Sequence, residues 1–238
     1  MMVSDLTLYE LAGADPELRF SPHCWKILMA LAHKGLEATR VPVRFCDKDK
    51  IAFSGQTLLP VIRHGTETVS DSWRIAVYLE DRFSSRPALF GDPHTVAVTR
   101  FVNSWADAVL VPAIARIILF DIHECLAADD RGYFRASREK IFGMPLEAVV
   151  ADQPARLKEF RKALQPLRYL LKNQDFIAGA HPGYADYCVF GMFMWARCSS
   201  STELIERGDT VIEWRDRLLD AFGALARSAP SISSSRGN

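Results

Sequence analysis

The sequence predicts an α/β domain of about 85 residues followed by an all-helical domain. Three observations carry this. Strand-like and helix-like runs alternate only in the first third of the chain. Residues 83–93 contain Ser-Ser-Arg-Pro and Gly-Asp-Pro, the punctuation of a linker. Beyond it strand grammar fades, and apolar residues recur at helical spacing. At 238 residues the chain suits one large or two small domains.

Residues 6–11, Leu-Thr-Leu-Tyr-Glu-Leu, form the first expected strand. A helix is expected over 21–34, with Ser21 as N-cap and Pro22 in the first turn, where a missing N–H is no loss. Cys24, Ile27, Leu28 and Leu31 share its apolar face. Lys34 and Gly35 supply a cation at the negative dipole end and a C′ glycine. A second strand is expected over 38–43. The charged, poorly periodic stretch 45–55 is expected as loop with a short helix. Runs 58–63 and 67–70 flank His64-Gly65-Thr66, a compact hairpin signal. Asp71-Ser72 then opens a helix with Ile75, Tyr78, Leu79 and Phe83 on one face. The order β-α-β-(α)-β-β-α implies a parallel pair joined by a helical crossover, then an antiparallel hairpin. That is the thioredoxin pattern, and it assigns residues 5–84 to the first domain.

The second domain is expected over 94–228. Residues 95–125 form a long helical region that Pro112 should bend. Helical length and periodicity recur over 157–172 and 184–197. They recur again over 211–227, with Trp214, Leu218, Phe222 and Leu225 on one side. Residues 229–238, rich in serine, are expected as a disordered tail.

Composition narrows function. Lys+Arg and Asp+Glu both number 29, so no net charge draws the chain to nucleic acid or an anionic membrane. Five cysteines (24, 46, 125, 188, 198) are odd in number and scattered, without metal-ligand spacing. They fit reduced thiols better than a disulfide framework. The start, Met-Met-Val-Ser-Asp, lacks a secretory n-region and h-region. No apolar run nears the roughly 18–20 residues that span a bilayer. The expectation is a soluble cytoplasmic protein without a metal.

Three sites converge if the thioredoxin pattern holds. A strand feeding a helix headed by Ser21-Pro22 is a place to hold an anion. A cis bond at Pro60 would turn the backbone of Leu59 toward an extended peptide. Asp71 and Ser72 offer a carboxylate, a hydroxyl and free helix N–H groups to a peptide's ammonium and carboxylate. The peptide's thiol would then point at Ser21.

Over residues 6–227 the chain resembles the cytosolic glutathione transferases. Leu59-Pro60-Val61 followed by Asp71-Ser72 resembles their glutathione-binding motifs. Tyr184-Ala185-Asp186-Tyr187 resembles the capping signature of their buried core helix. More narrowly, Ser21-Pro22-His23-Cys24-Trp25-Lys26, the run from Tyr184 to Gly191, and Tyr133-Phe134-Arg135-Ala136-Ser137-Arg138-Glu139 resemble an etherase-like subgroup. That subgroup includes bacterial enzymes cleaving lignin-type β-aryl ethers and a related fungal class. The resemblance implies glutathione as co-substrate, a hydrophobic electrophile as second substrate, and a homodimer. It implies a glutathione site built from Ser21, Gln56, Leu59, Pro60, Asp71 and Ser72.

Ser21 is then a thiolate stabiliser, and the nucleophile belongs to glutathione. The rivals are a thiol transferase or reductase using Cys24, and a non-catalytic binder of apolar molecules. Cys24 lies in line with the apolar face, which favours core packing. His23 is expected as an exposed or partly exposed helix residue. Asp186 at N3 suits a capping box rather than acid catalysis, but Gly183 at the N-cap lacks the reciprocal side chain. Many relatives carry a basic residue where Leu58 stands, so Lys48, Lys50 or Gln56 is expected to take that role. Phe20 and Trp105, with Trp195, are candidate walls of the electrophile cavity.

Overall fold

A computed structural model describes residues 5–232. Strand β1 (Leu6–Leu11) alternates buried and half-buried residues, putting Leu6, Leu8 and Glu10 on the covered face. A carboxylate there is costly unless paired. Glu10 receives Arg40 Nε at 2.6 Å and Nη2 at 3.0 Å, with Arg19 Nη1 at 3.7 Å.

Helix α1 (Pro22–His33) crosses to β2 (Thr39–Val43), which lies parallel to β1. Its end is a Schellman closure: Leu36 N–H donates to Leu31 C=O and Gly35 N–H to Ala32 C=O, with Gly35 at φ 62°. A 3₁₀ helix, Lys48–Ser54, fills the poorly periodic stretch. β3 (Val61–His64) and β4 (Glu67–Ser70) form the antiparallel hairpin, and the sheet runs β2-β1-β3-β4. The ladder begins at Val61 rather than at Leu58, since Pro60 has no N–H to give it. Helix α2 (Ser72–Arg82) follows. The expected α/β half is therefore present in thioredoxin-like form.

The helical half comprises α3 (Pro93–Trp105), α4 (Val111–Glu124), α5 (Ala128–Phe142), α6 (Leu146–Val149), α7 (Gln153–Ala163), α8 (Gln165–Leu171), α9 (Tyr184–Ser199) and α10 (Thr210–Ala224). At Pro112, where a bend is expected, the helical dihedrals continue, and the irregularity lies one turn earlier, as a π-helical turn over Ala106–Leu110. Val111 N–H reaches back five residues to Ala106 C=O. Proline at 112 removes the next donor and crowds the carbonyl of Ala108, and a widened turn relieves both. The single helix expected over 157–172 is instead α7 and α8. The last helix also departs from expectation. Ala221, Phe222 and Gly223 leave helical geometry, so Phe222 is not in register with Trp214 and Leu218. Its ring turns toward His33 and Tyr187 instead. Ala229 and Ile232 lie against the core, and residues 233–238 of the expected tail lie outside the described residues.

Two buried charges are each held by several partners. Lys34, expected only as a helix-end cation, is fully buried: it meets Glu80 at 2.7 Å and donates to the Phe83 and Pro87 carbonyls. Glu80 in turn accepts from Leu89 and Phe90 N–H, fixing the linker. Asp186 accepts from Gly183 N–H (3.0 Å), Ile177 N–H (2.7 Å), Ala178 N–H (3.1 Å) and Trp214 Nε1 (2.8 Å). That is the expected structural carboxylate. Gly183 has a reason of its own: a Cβ there would stand 2.8 Å from Ala178 Cβ and 3.1 Å from Leu89 C=O. Serine would clash where it was expected to help.

Helix α9 is buried along nearly its whole length and packs against α1. Gly191 makes the close crossing, since a Cβ there would strike the carbonyl of Pro22. The residue after Ser21 is thus pressed against the core helix of the other half.

Candidate active site

The hairpin register decides which loops meet. Val61 lies opposite Ser70 and Tyr9 opposite Val61. The segments before β3, after β4 and after β1 therefore leave the same end of the sheet. Leu59-Pro60, Asp71-Ser72 and the approach to Ser21 are brought together by topology alone.

Each is anchored by its own contacts. Ala12 bridges to Arg19, Trp25 Nε1 donates to Arg19 C=O at 2.9 Å, and the Arg19 guanidinium is held at Glu10. Phe20 and Ser21 thereby enter α1 along a fixed path. Ser21 is the N-cap: its Oγ accepts from Cys24 N–H at 3.3 Å. Its own O–H remains a donor. The Leu59–Pro60 bond is cis. Asp71 has φ 75°, a strained value for a residue with a side chain, and its Oδ1 caps α2 through Arg74 N–H at 3.0 Å. Ser72 is buried, and its carbonyl accepts from Tyr184 Oη at 2.8 Å. Trp73 packs against Phe90 and Tyr184 under the Arg100 guanidinium, 4.6 Å from the ring centre.

Beside Ser21 opens a largely apolar cavity of about 480 Å³ between the two halves. Phe20, Ser21, Leu58, Leu59 and Trp195 line it. Trp105 does not: it packs half-buried against the core, and Asp107, two residues on within the π-helical turn, reaches the cavity instead. Of the three candidates for the missing base, Lys48 lines the cavity and donates to Thr57 C=O at 2.6 Å. Lys50 is held by Asp47 at 3.0 Å, and Gln56 is exposed outside the lining.

Asp107 belongs to a network that sequence reasoning missed. Lys26 Nζ, fully buried, meets Asp107 Oδ1 at 2.7 Å and Asn103 Oδ1 at 2.9 Å. Asn103 Nδ2 donates to Asp107 Oδ2 at 2.9 Å. His23 Nδ1 stands 3.8 Å from Asp107. Burial, with the Lys26 ammonium adding to it, pulls the His23 pKa down to about 4, so the ring is neutral at pH 7. The 37 % of its side chain left exposed faces into the cavity lining. Arg138 was missed as well, although the signal was present: it stands four residues after buried Phe134, on the inward face of α5.

Cys24 is buried in the core, and burial raises its thiol pKa to about 12. A second, more polar cavity of about 200 Å³ lies by α9 and α10, lined by Arg197, Arg215 and Arg227, away from Ser21. Among the described residues, no group of three or more His, Cys, Asp or Glu is placed to hold a metal ion. No helix among them is long and apolar enough to cross a membrane.

The fold is that of a thioredoxin-like sheet domain joined to a helical domain, with an apolar cleft between them. Family models described as "Glutathione S-transferase, N-terminal domain" and "Glutathione S-transferase, C-terminal domain" match residues 20–82 and 97–223. The chain belongs to the glutathione S-transferase family.

Among curated relatives, glutathione transferase omega-1 of Caenorhabditis elegans is 28% identical over 181 residues, 74% of this chain and 60% of that protein. The chain thus spans under two thirds of that relative's length. Among solved structures, the glutathione S-transferase CsGST63524 of Ceriporiopsis subvermispora, in complex with glutathione, superposes with a TM-score of 0.79 at 23% identity. It covers 91% of this chain and 96% of its own. The β-etherase LigF from Sphingobium sp. strain SYK-6 superposes with a TM-score of 0.66 at 21% identity, covering 91% and 95%. At these identities the structures share the fold.

Proposed function

We propose that the protein is a glutathione transferase that ionises the glutathione thiol at Ser21 and delivers it to a hydrophobic electrophile. Glutathione lies on residues 5–84, and the acceptor lies between them and the helical domain of residues 94–228. The observation that carries the proposal is the Ser21 hydroxyl, capping α1 through Cys24 N–H and lining a largely apolar cavity. An oxygen already engaged as acceptor keeps its proton for a sulfur anion.

Magnitudes support the assignment. A thiol of pKa about 8.5 is a few per cent ionised at pH 7, and lowering it two units takes about 2.7 kcal/mol. A hydroxyl hydrogen bond to an anion contributes about 1.5–3 kcal/mol, and a helix N-terminus about 0.3–2. The two together reach the required value.

The remaining groups orient the tripeptide. The main chain of Leu59 stands just outside the ladder and is free to pair with an extended peptide. Asp71 faces the peptide's ammonium, and Ser72 with the α2 N–H groups faces the adjoining carboxylate. Lys48 is the candidate for the carboxylate at the glycine end. For an aryl ether, the thiol proton first passes to water. Sulfur then bonds to the carbon, the carbon–oxygen bond breaks, and the aryl oxide leaves with the electron pair. The second copy of the proposed homodimer is served by Val98 and Phe101, exposed three residues apart on α3.

The thiol-transferase reading needs a thiolate at Cys24, and burial opposes one there. Calorimetry with glutathione, followed by turnover of a chromogenic aryl halide and a model β-aryl ether, tests the proposal. Tight binding with turnover of either is expected. Binding without turnover of either reduces the protein to a binder and contradicts it.

A further inference from the structure

The acceptor cavity carries a cation that the protein leaves without a counter-ion. Arg138 projects from α5 with its guanidinium 4.8 Å from the Phe134 ring centre and 5.5 Å from that of Phe45. Its hydrogen bond to the protein goes to the adjacent Ser137 hydroxyl at 2.9 Å. Among the described residues no carboxylate pairs with it within 4.0 Å. The contrast on the same helix is sharp, because Arg135 is held by both Glu139 and Glu147. The charges nearest the site are accounted for. Lys48, the neighbouring cation, donates to Thr57 C=O and is the group proposed above for the glycine carboxylate of glutathione. Asp107 is occupied by Lys26 and Asn103, and Asp130 accepts from Cys46 N–H and faces the Arg44 guanidinium at 3.9 Å. Burial pulls the Arg138 guanidinium below its ordinary pKa. A half-buried charge without a partner lowers its free energy most by taking an anionic ligand.

We infer that the electrophile is an aromatic molecule bearing a carboxylate, gripped by Arg138 while its reactive carbon faces the sulfur at Ser21. The inference rests on the transferase reading and deepens it. A planar guanidinium set beside two touching rings suits this ligand, because Phe45 and Phe134, whose ring centres lie 5.5 Å apart, offer an aromatic wall while the fork of N–H groups takes the carboxylate. The cavity volume, about 480 Å³, accommodates a molecule of one or two rings. Arg138 also belongs to the helical half, whereas the groups assigned to glutathione all lie in the first half.

The test compares two acceptors with the same leaving group, 4-fluoro-3-nitrobenzoate and 4-fluoro-3-nitrobenzamide, on the full chain with glutathione. In Arg138→Gln the acid-to-amide ratio of kcat/KM is expected to fall roughly 10–100-fold, carried by KM for the acid. Arg138→Lys, which keeps the charge and loses the fork, is expected to fall between. An unchanged ratio in Arg138→Gln overturns the inference. So does a rise in KM for glutathione with the ratio unchanged, which would give Arg138 to the tripeptide. If the wild-type protein turns over neither acceptor, the transferase reading is what fails. Calorimetry with unreactive 3-nitrobenzoate and 3-nitrobenzamide then reads Arg138 independently. A carboxylate preference lost in Arg138→Gln supports the inference, and equal binding of the two by the wild-type protein contradicts it.

Discussion

The two walls of the cleft are built by different rules. On the sheet side, Ser21 and Leu59 line the cavity, and Asp71 stands outside its lining; all three sit at element ends where backbone geometry itself does the work: a cap, a cis bond, a strained turn. On the helical side, Asp107 and Arg138 sit within helical segments, and their proximity to Ser21 comes from packing over more than 80 residues of sequence. The first wall is suited to one invariant ligand. The second is set by side chains that change without disturbing the fold, so specificity belongs there.

The largest effect is expected where the walls meet. Asp107→Ala strands the fully buried Lys26 ammonium with only Asn103 for company, and a loss of about 3–5 kcal/mol in urea unfolding is expected. Lys26→Met leaves Asp107, whose side chain is 38 % exposed and can turn to water, so a loss of about 1–2 kcal/mol is expected. Equal losses would show that the pair is not asymmetric and that the junction is held by packing alone.

A smaller effect concerns pH. His23 has a pKa of about 4 in the fold against an ordinary 6.5, so between those values the unfolded chain binds more protons. Its contribution to stability is complete above pH 6.5 and is lost as pH falls toward 4. His23→Asn is expected to flatten the rise of the urea midpoint across that window. An identical slope in the variant would mean that the ring titrates normally.

The smallest effect separates Cys24 from chemistry. Cys46 is exposed, whereas Cys24 is buried with a pKa of about 12. At pH 8 a disulfide reagent is expected to label Cys46 first, and Cys46→Ser to remove that phase while Cys24→Ser leaves it. Rapid labelling of Cys24 would revive the thiol-transferase rival.

The same contrast explains what was legible in the sequence. Strand order, the α1 cap and the meeting of Leu59, Asp71 and Ser21 follow from local signals: turn residues, caps and alternation, each confined to a few neighbours. Asp186 was legible for the same reason, through its spacing from Gly183. The π-helical turn was not, because its cause at Pro112 acts backwards on the previous turn, and it is what gave Asp107 the cavity place expected of Trp105. Gly183 misled because its requirement is a distance to Ala178 and Leu89, which no single-position preference encodes. Phe222 misled because three residues of non-helical backbone follow an otherwise regular pattern.

The central claim is that the mouth of α1 stabilises a sulfur anion through Ser21. Titrating the ultraviolet thiolate absorbance of protein-bound glutathione tests it directly. The wild-type protein is expected to ionise the thiol about two pH units below free glutathione, and Ser21→Ala to return most of that shift. Superimposable titrations of the two proteins, with glutathione bound equally well, would contradict it.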